Sequence, residues 1–161
     1  MWVQHPMPDR QYIQTLRESL FPGERPIMDT ITALILGNFF GRFPNIKIGS
    51  IEMGCEWVEY LMHSLDHAGG FLDRHIEAFG VKLDDKPSDV MKEHVYVSPF
   101  PEEDVLKLVR LIGADRVLMG SDWPHPEGNK LPVDYVECIS TLPYGDIKKI
   151  MRDNISELLA S

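Results

Sequence analysis

The chain has 161 residues, 43% of them hydrophobic and 25% charged, and a formal net charge of −9. That balance is expected of a single globular domain, 1–161, large enough to bury a core, and the carboxylate excess excludes a nucleic-acid backbone as partner, which needs clustered Lys and Arg. No uncharged apolar run approaches a bilayer span and the first residues lack the regions of a signal peptide, so a cytoplasmic protein without a membrane partner is expected.

Residues 1–25 read as an irregular lead-in, in which prolines at 6, 8 and 22 leave only 9–20 as a short helix with Asp9 as its candidate cap. From 26 to 40 the pattern is clearly helical. Pro26 suits a first turn, Asp29 sits near the positive end of the dipole, and Ile27, Ile31, Leu34 and Ile35 share a face. A short strand is expected at 46–51, bounded by Asn45 and Gly54. A helix at 57–65 turns Trp57, Leu61 and Leu65 inward. A weaker helical segment at 68–80, a charged loop at 81–89 and a single turn at 90–93 follow.

Residues 94–100 form a β-branched and aromatic strand stopped by Pro99. The next helix is read with Pro101 at its first position and Glu102, Glu103 and Asp104 as dipole residues in its first turn. Val105, Leu108, Val109 and Ile112 form its apolar stripe and Gly113 closes it. A strand at 116–120, a helix at 133–142 and a final helix or helix pair at 146–159 complete the chain, the last with Ile147, Ile150, Met151 and Leu158 apolar. Short apolar strands separated by helices mark an α/β fold, a parallel sheet covered by helices.

The third strand runs straight into Gly120-Ser-Asp-Trp-Pro-His-Pro-Glu-Gly128. Two prolines and a glycine neither extend a strand nor start a helix cleanly, so Asp122, Trp123, His125 and Glu127 sit on an ordered turn. In parallel α/β folds the C-terminal ends of strands are where ligands bind. Trp123 is read as packing rather than as a stacking surface. His63, His67 and His75 read as a solvated helix face beside Asp66 and Asp73, not as a zinc cluster. Cys55 and Cys138 lack CxxC spacing and read as reduced, part-buried thiols.

Residues 116–128 resemble the last barrel strand of the amidohydrolase-related family of metal-dependent hydrolases and decarboxylases. Phe43-Pro-Asn-Ile-Lys-Ile-Gly-Ser-Ile-Glu-Met-Gly-Cys-Glu-Trp57 is similar to that family's sixth strand and following turn, and Ile150-Met-Arg-Asp-Asn-Ile-Ser-Glu-Leu-Leu159 to its terminal helix. Residues 95–100 would then be strand seven. The resemblance implies a partial (β/α)₈ barrel, about strands six to eight with their helices, since a whole barrel takes roughly 250 residues.

It also implies chemistry. Asp122 would bind a divalent metal, zinc or else manganese, or take a proton from metal-bound water. Glu52, where some members have a histidine, would be a second metal ligand. His125 and Glu127 would contact a small organic substrate undergoing hydrolysis or loss of carbon dioxide. The residues also admit plainer roles: Asp122 capping a turn, Glu52 pairing with a basic neighbour, and His125 and Glu127 fixing the loop between Pro124 and Pro126. The family's His-x-His pair occurs nowhere in this chain, and its fifth-strand histidine would fall at or before the N-terminus, near His5. Two carboxylates fall short of the usual three protein ligands of a catalytic zinc. Low metal occupancy and inactivity of the isolated chain are therefore expected, with self-association or pairing to a complementary barrel half, and the competing expectation is a catalytically inactive truncated barrel acting as a binding or partner-dependent module.

Overall fold

Helix α1, Glu24–Leu36, buries Ile31 and Ile35 of the expected stripe but ends before residue 40. Asn38 sits at φ 52, a left-handed turn that Asn tolerates, and the chain restarts as the short helix α2, Phe39–Arg42. The computed structural model describes residues 24–79, 82–125 and 128–160. The lead-in helix expected at 9–20, His5 and Glu127 lie outside these.

Strand β1 is Ile48–Ser50, shorter than the expected 46–51. Helix α3, Trp57–Arg74, joins the two helical segments read separately, because its buried positions Trp57, Val58, Leu61, Leu65 and Gly69 carry one stripe across the expected break. His63 and His67 are exposed on it, as is His75 just beyond its end. After α4, Ile76–Phe79, helix α5 spans Pro87–His94, beginning earlier than the single turn expected at 90–93. Its cap comes from another helix: the Asp66 carboxylate of α3 accepts the Ser88 N–H at 2.9 Å and pairs with Lys86 at 2.9 Å. Pro87 at the first position and Asp89 in the first turn mark that start locally, but the side-chain cap comes from α3.

Strand β2, Val95–Val97, pairs in parallel with β1, Ile48 opposite Val95 and Ser50 opposite Val97. Helix α6 is Val105–Ile112, with Asp104 as its N-cap accepting the Lys107 N–H at 2.8 Å. The expected start at Pro101 is corrected: residues 101–103 form a turn, in which the Glu103 N–H bonds the Phe100 carbonyl.

The third strand is reduced to a parallel bridge between Val117 and Val97, with the Leu118 N–H donating to the Val97 carbonyl at 2.9 Å. Pro99 has no N–H to extend that ladder, and the Met119 N–H turns to the Ile150 carbonyl at 3.1 Å. Residues expected as a helix at 133–142 form a tight three-residue-per-turn helix over Pro132–Ile139. The chain then ends in α7, Tyr144–Lys148, a wide turn at Lys149–Asp153 and α8, Asn154–Ala160. Asn154, 3% exposed, donates to the Ala114 and Val117 carbonyls, both at 2.7 Å, and so fastens the terminal helix to the start of the third strand position.

Period-two alternation divides the sheet. Val95, Val97 and Val117 enter one buried cluster with Ile31, Leu61, Leu108, Tyr135 and Ile150, whereas Tyr96 and Leu118, equally buried, lie outside that cluster. Gly49 is the register partner of Tyr96, and the Leu158 side chain comes to within 3.3 Å of where a Cβ on Gly49 would stand. The strands are thus covered on both faces, and their C-terminal ends open toward a single loop cluster. No helix described is long and apolar enough to cross a membrane.

Candidate metal centre

The loops leaving β1, β2 and Val117 converge. Glu52 follows β1 by two residues, Phe100 and Glu102 follow β2, and Asp122 and His125 follow the third strand position. Together they line an open cleft of about 270 Å³. One ligand atom each from Glu52, Asp122 and His125 lies within 4.8 Å of the other two, the one such three-ligand group among the described residues. His125 Nδ1 is 3.2 Å from Asp122 Oδ1. The Asp122 side chain is only 8% exposed, whereas that of His125 is 53% exposed. Ligand atoms around a tetrahedral ion with bonds near 2.1 Å stand ~3–4 Å apart, so this spacing suits one divalent cation. Two carboxylates and an imidazole are donors that zinc and manganese both accept.

Local backbone geometry builds this group. Among the described residues, three non-glycine residues have positive φ: Asn38, Glu52 at 57° and Asp122 at 56°. Such conformations cost of order 1–3 kcal/mol each and collect at functional sites. A turn from Asp122 to His125, closed by the His125 N–H on the Asp122 carbonyl at 2.9 Å, brings the imidazole back over the carboxylate. The Asn129 N–H on the Ser121 carbonyl at 2.8 Å closes the loop behind it.

Asp122 and Glu52 are the two ligands expected from the sequence; the turn brings His125 to both. The basic neighbour anticipated for Glu52 does not appear among the described ion pairs. Glu127 lies outside the described residues. Trp123 is corrected: at 62% exposed on the turn between Asp122 and His125, it is not a packing residue.

Glu103, read as a helix-dipole residue, is also corrected. It precedes the cap of α6, and its carboxylate accepts the N–H groups of Cys55 at 2.7 Å, Glu56 at 3.3 Å and Phe100 at 2.6 Å. Spacing alone does not separate it from Glu102, since two of the three bonds link residues 47 and 48 apart in the chain.

A larger cleft of about 400 Å³ lies on the other side of the β1 loop, lined by Cys55, Glu56, Glu59, Asp104, Lys107, Leu108 and Leu111. Its one lysine is already paired, Lys107 with Glu59 at 2.6 Å. Burial, then the Glu103 charge, pushes the Cys55 thiol up to about 12. At pH 8 the thiolate fraction falls on the order of 10³-fold below that of a free cysteine, so alkylation of Cys55 by iodoacetamide, followed by mass spectrometry, is expected to be at least ~100-fold slower than for the free amino acid. The unfolded thiol loses its proton near 8.5. The folded chain therefore holds an extra proton above that value, and this stabilisation is complete below about pH 8.5 and is lost as pH rises toward 12. Rapid labelling at pH 8 would contradict the buried, charge-shielded thiol.

Comparison with known proteins gives this geometry a family setting. The family model described as amidohydrolase matches residues 12–160. Over 130 residues the chain is 27% identical to the 2-amino-3-carboxymuconate-6-semialdehyde decarboxylase of Dictyostelium discoideum, covering 80% of this chain and 35% of that protein. A solved amidohydrolase of Mycobacterium avium subsp. paratuberculosis is 34% identical with a TM-score of 0.78, over 90% of this chain and 36% of its own. A dihydroxybenzoic acid decarboxylase of Polaromonas, solved with manganese and the inhibitor 2-nitroresorcinol, shares the fold at 21% identity and a TM-score of 0.64, over 98% of this chain and 48% of its own. The chain thus spans between about a third and a half of the length of these relatives.

Proposed function

This chain belongs to the amidohydrolase family, whose fold it carries as part of a barrel, and from that premise we propose that it supplies one side of a metal-dependent carboxy-lyase or hydrolase centre. Asp122 and Glu52 are its metal ligands and Asp122 its catalytic carboxylate. His125 stands where it either completes the ligand set or meets the substrate, and Glu127 is assigned to substrate contact. β1, β2 and the Val117 segment correspond in this reading to strands six, seven and eight. The observation that carries it is the pair of left-handed carboxylate residues, Glu52 and Asp122, aimed with His125 at one point. A decarboxylase among the relatives favours loss of carbon dioxide from a small organic acid.

A bound divalent ion, zinc or manganese, supplies Lewis-acid polarisation of a substrate oxygen. The chain's own residues do the rest. The largely buried Asp122 carboxylate fixes the position of positive charge, His125 beside it can hold or release a proton at Nδ1, and Phe100 gives the cleft an apolar wall. Elemental mass spectrometry of the purified chain tests the reading: about one zinc or manganese per chain is expected, and none in chain supplied with both metals would refute it.

The reading includes a second part, association with another copy or a complementary barrel half. It is supported by the apolar side chains that flank β1, with Phe43 47%, Ile46 42% and Ile51 50% exposed beside an edge strand of the described sheet. Light scattering is expected to give at least twice the chain mass, and a monodisperse monomer would count against self-association.

A further inference from the structure

We propose that Glu103 is the positioning residue of this centre, a carboxylate joint that fixes the β1 loop carrying Glu52 against the β2 loop carrying Phe100. The inference rests on the proposed metal site and concerns a residue that does not touch the metal group itself.

The geometry is specific. Oε1 accepts the Cys55 and Glu56 N–H groups and Oε2 accepts the Phe100 N–H, so one side chain satisfies three backbone donors from two loops. An ionised carboxylate is the one side chain offering acceptors alone on two oxygens. Gly54 is fitted to it: the residue sits at φ 59, and a Cβ there would stand 2.6 Å from Glu103 Oε1. From the opposite side the Trp57 indole donates to the Met53 and Gly54 carbonyls at 2.9 and 3.0 Å. The segment between Glu52 and Trp57 is therefore gripped by its N–H groups from Glu103 and by its carbonyls from Trp57. Glu52, exposed and in a left-handed conformation, has its direction set by this grip. Phe100 and Glu52 line the same cleft, so both sides of the opening depend on one carboxylate.

Glu103→Gln keeps the size of the side chain but replaces one acceptor oxygen by a donor amide, which must face one of the backbone donors. Isothermal titration with manganese chloride is expected to show a dissociation constant 10- to 100-fold weaker than for the unaltered chain, the usual effect of losing a group that orients a metal ligand. Asp104→Ala, which removes the α6 cap and the Arg110 ion pair but neither loop contact of Glu103, is the structural control: it lowers the melting temperature and leaves the manganese constant unchanged. Unaltered manganese affinity in Glu103→Gln overturns the proposal. Should Glu103→Gln fail to fold, Glu103→Asp, which keeps the charge but falls one methylene short of spanning both loops, takes its place with the same expected direction and the same overturning result. A parent chain that takes up neither manganese nor zinc refutes the metal reading alone. The joint is then decided by amide hydrogen exchange: at least tenfold faster exchange at Cys55 and Phe100 in the Glu103 variant than in Asp104→Ala supports it, and equal rates overturn it.

Discussion

Asp122→Asn is expected to abolish stoichiometric metal uptake while leaving the fold intact. Asn has nearly the same shape and, like Asp, tolerates the left-handed backbone found at this position, φ 56. What it lacks is the charge, and a neutral amide beside His125 leaves Glu52 as the only anionic donor of the three-residue group. The loss of affinity should exceed the 10- to 100-fold typical of outer partners, at least ~100-fold. Asp122→Ala should lose metal equally and in addition cost about 1 kcal/mol of stability, since Ala in a left-handed conformation is strained. Elemental analysis beside thermal melts separates the two effects. One equivalent of metal retained in Asp122→Asn would remove Asp122 from the ligand set and return it to a turn-capping role.

The largest stability effect is expected at Gly120. A Cβ there would stand 2.0 Å from the Pro99 carbonyl oxygen and 2.7 Å from Ser98 Oγ. The nearer obstacle is backbone, so relief requires moving the strand end that carries Asp122 away from the loop that carries Phe100. Overpacking of this kind costs about 1–3 kcal/mol, and the fixed carbonyl places Gly120→Ala at the upper end. For a chain of this size that is a fall in melting temperature of roughly 6–12 °C. Gly145→Ala is the control, because a Cβ at Gly145 meets nothing within 4 Å. It should leave the melting temperature unchanged or slightly raised. A Gly120→Ala chain melting within about 2 °C of the parent would show that the two strand ends are not in rigid contact.

Both predictions act where sequence and structure meet. The sites of the three strands were legible because each is a short run of β-branched or apolar residues between helix signals, and the structure keeps Ile48–Ser50, Val95–Val97 and Val117 at those places. Their lengths were not, because pairing needs a partner's N–H and C=O in register. Pro99 and the turn of Met119 toward Ile150 end the ladder early. The Asp104 cap lies next to its own helix and was readable within one turn, although Pro101 was mistaken for the start. The cap of α5 was not, since Asp66 reaches it from a helix 22 residues away in the chain.

The candidate site divides in the same way. Residue type and the break after the third strand single out Asp122 in the sequence, and resemblance adds Glu52. Only the folded chain brings His125 back to 3.2 Å from Asp122, turns Trp123 outward and makes Glu103 a joint rather than a dipole residue. By itself the sequence determined the family, the order of strands and helices and the carboxylate at the end of the third strand, because periodicity, capping and motif are properties of neighbouring residues. The tertiary structure alone decided which carboxylate holds a loop and which faces the cleft, because hydrogen bonds between residues 47 or 48 apart depend on how the loops meet and not on what surrounds each residue in the chain.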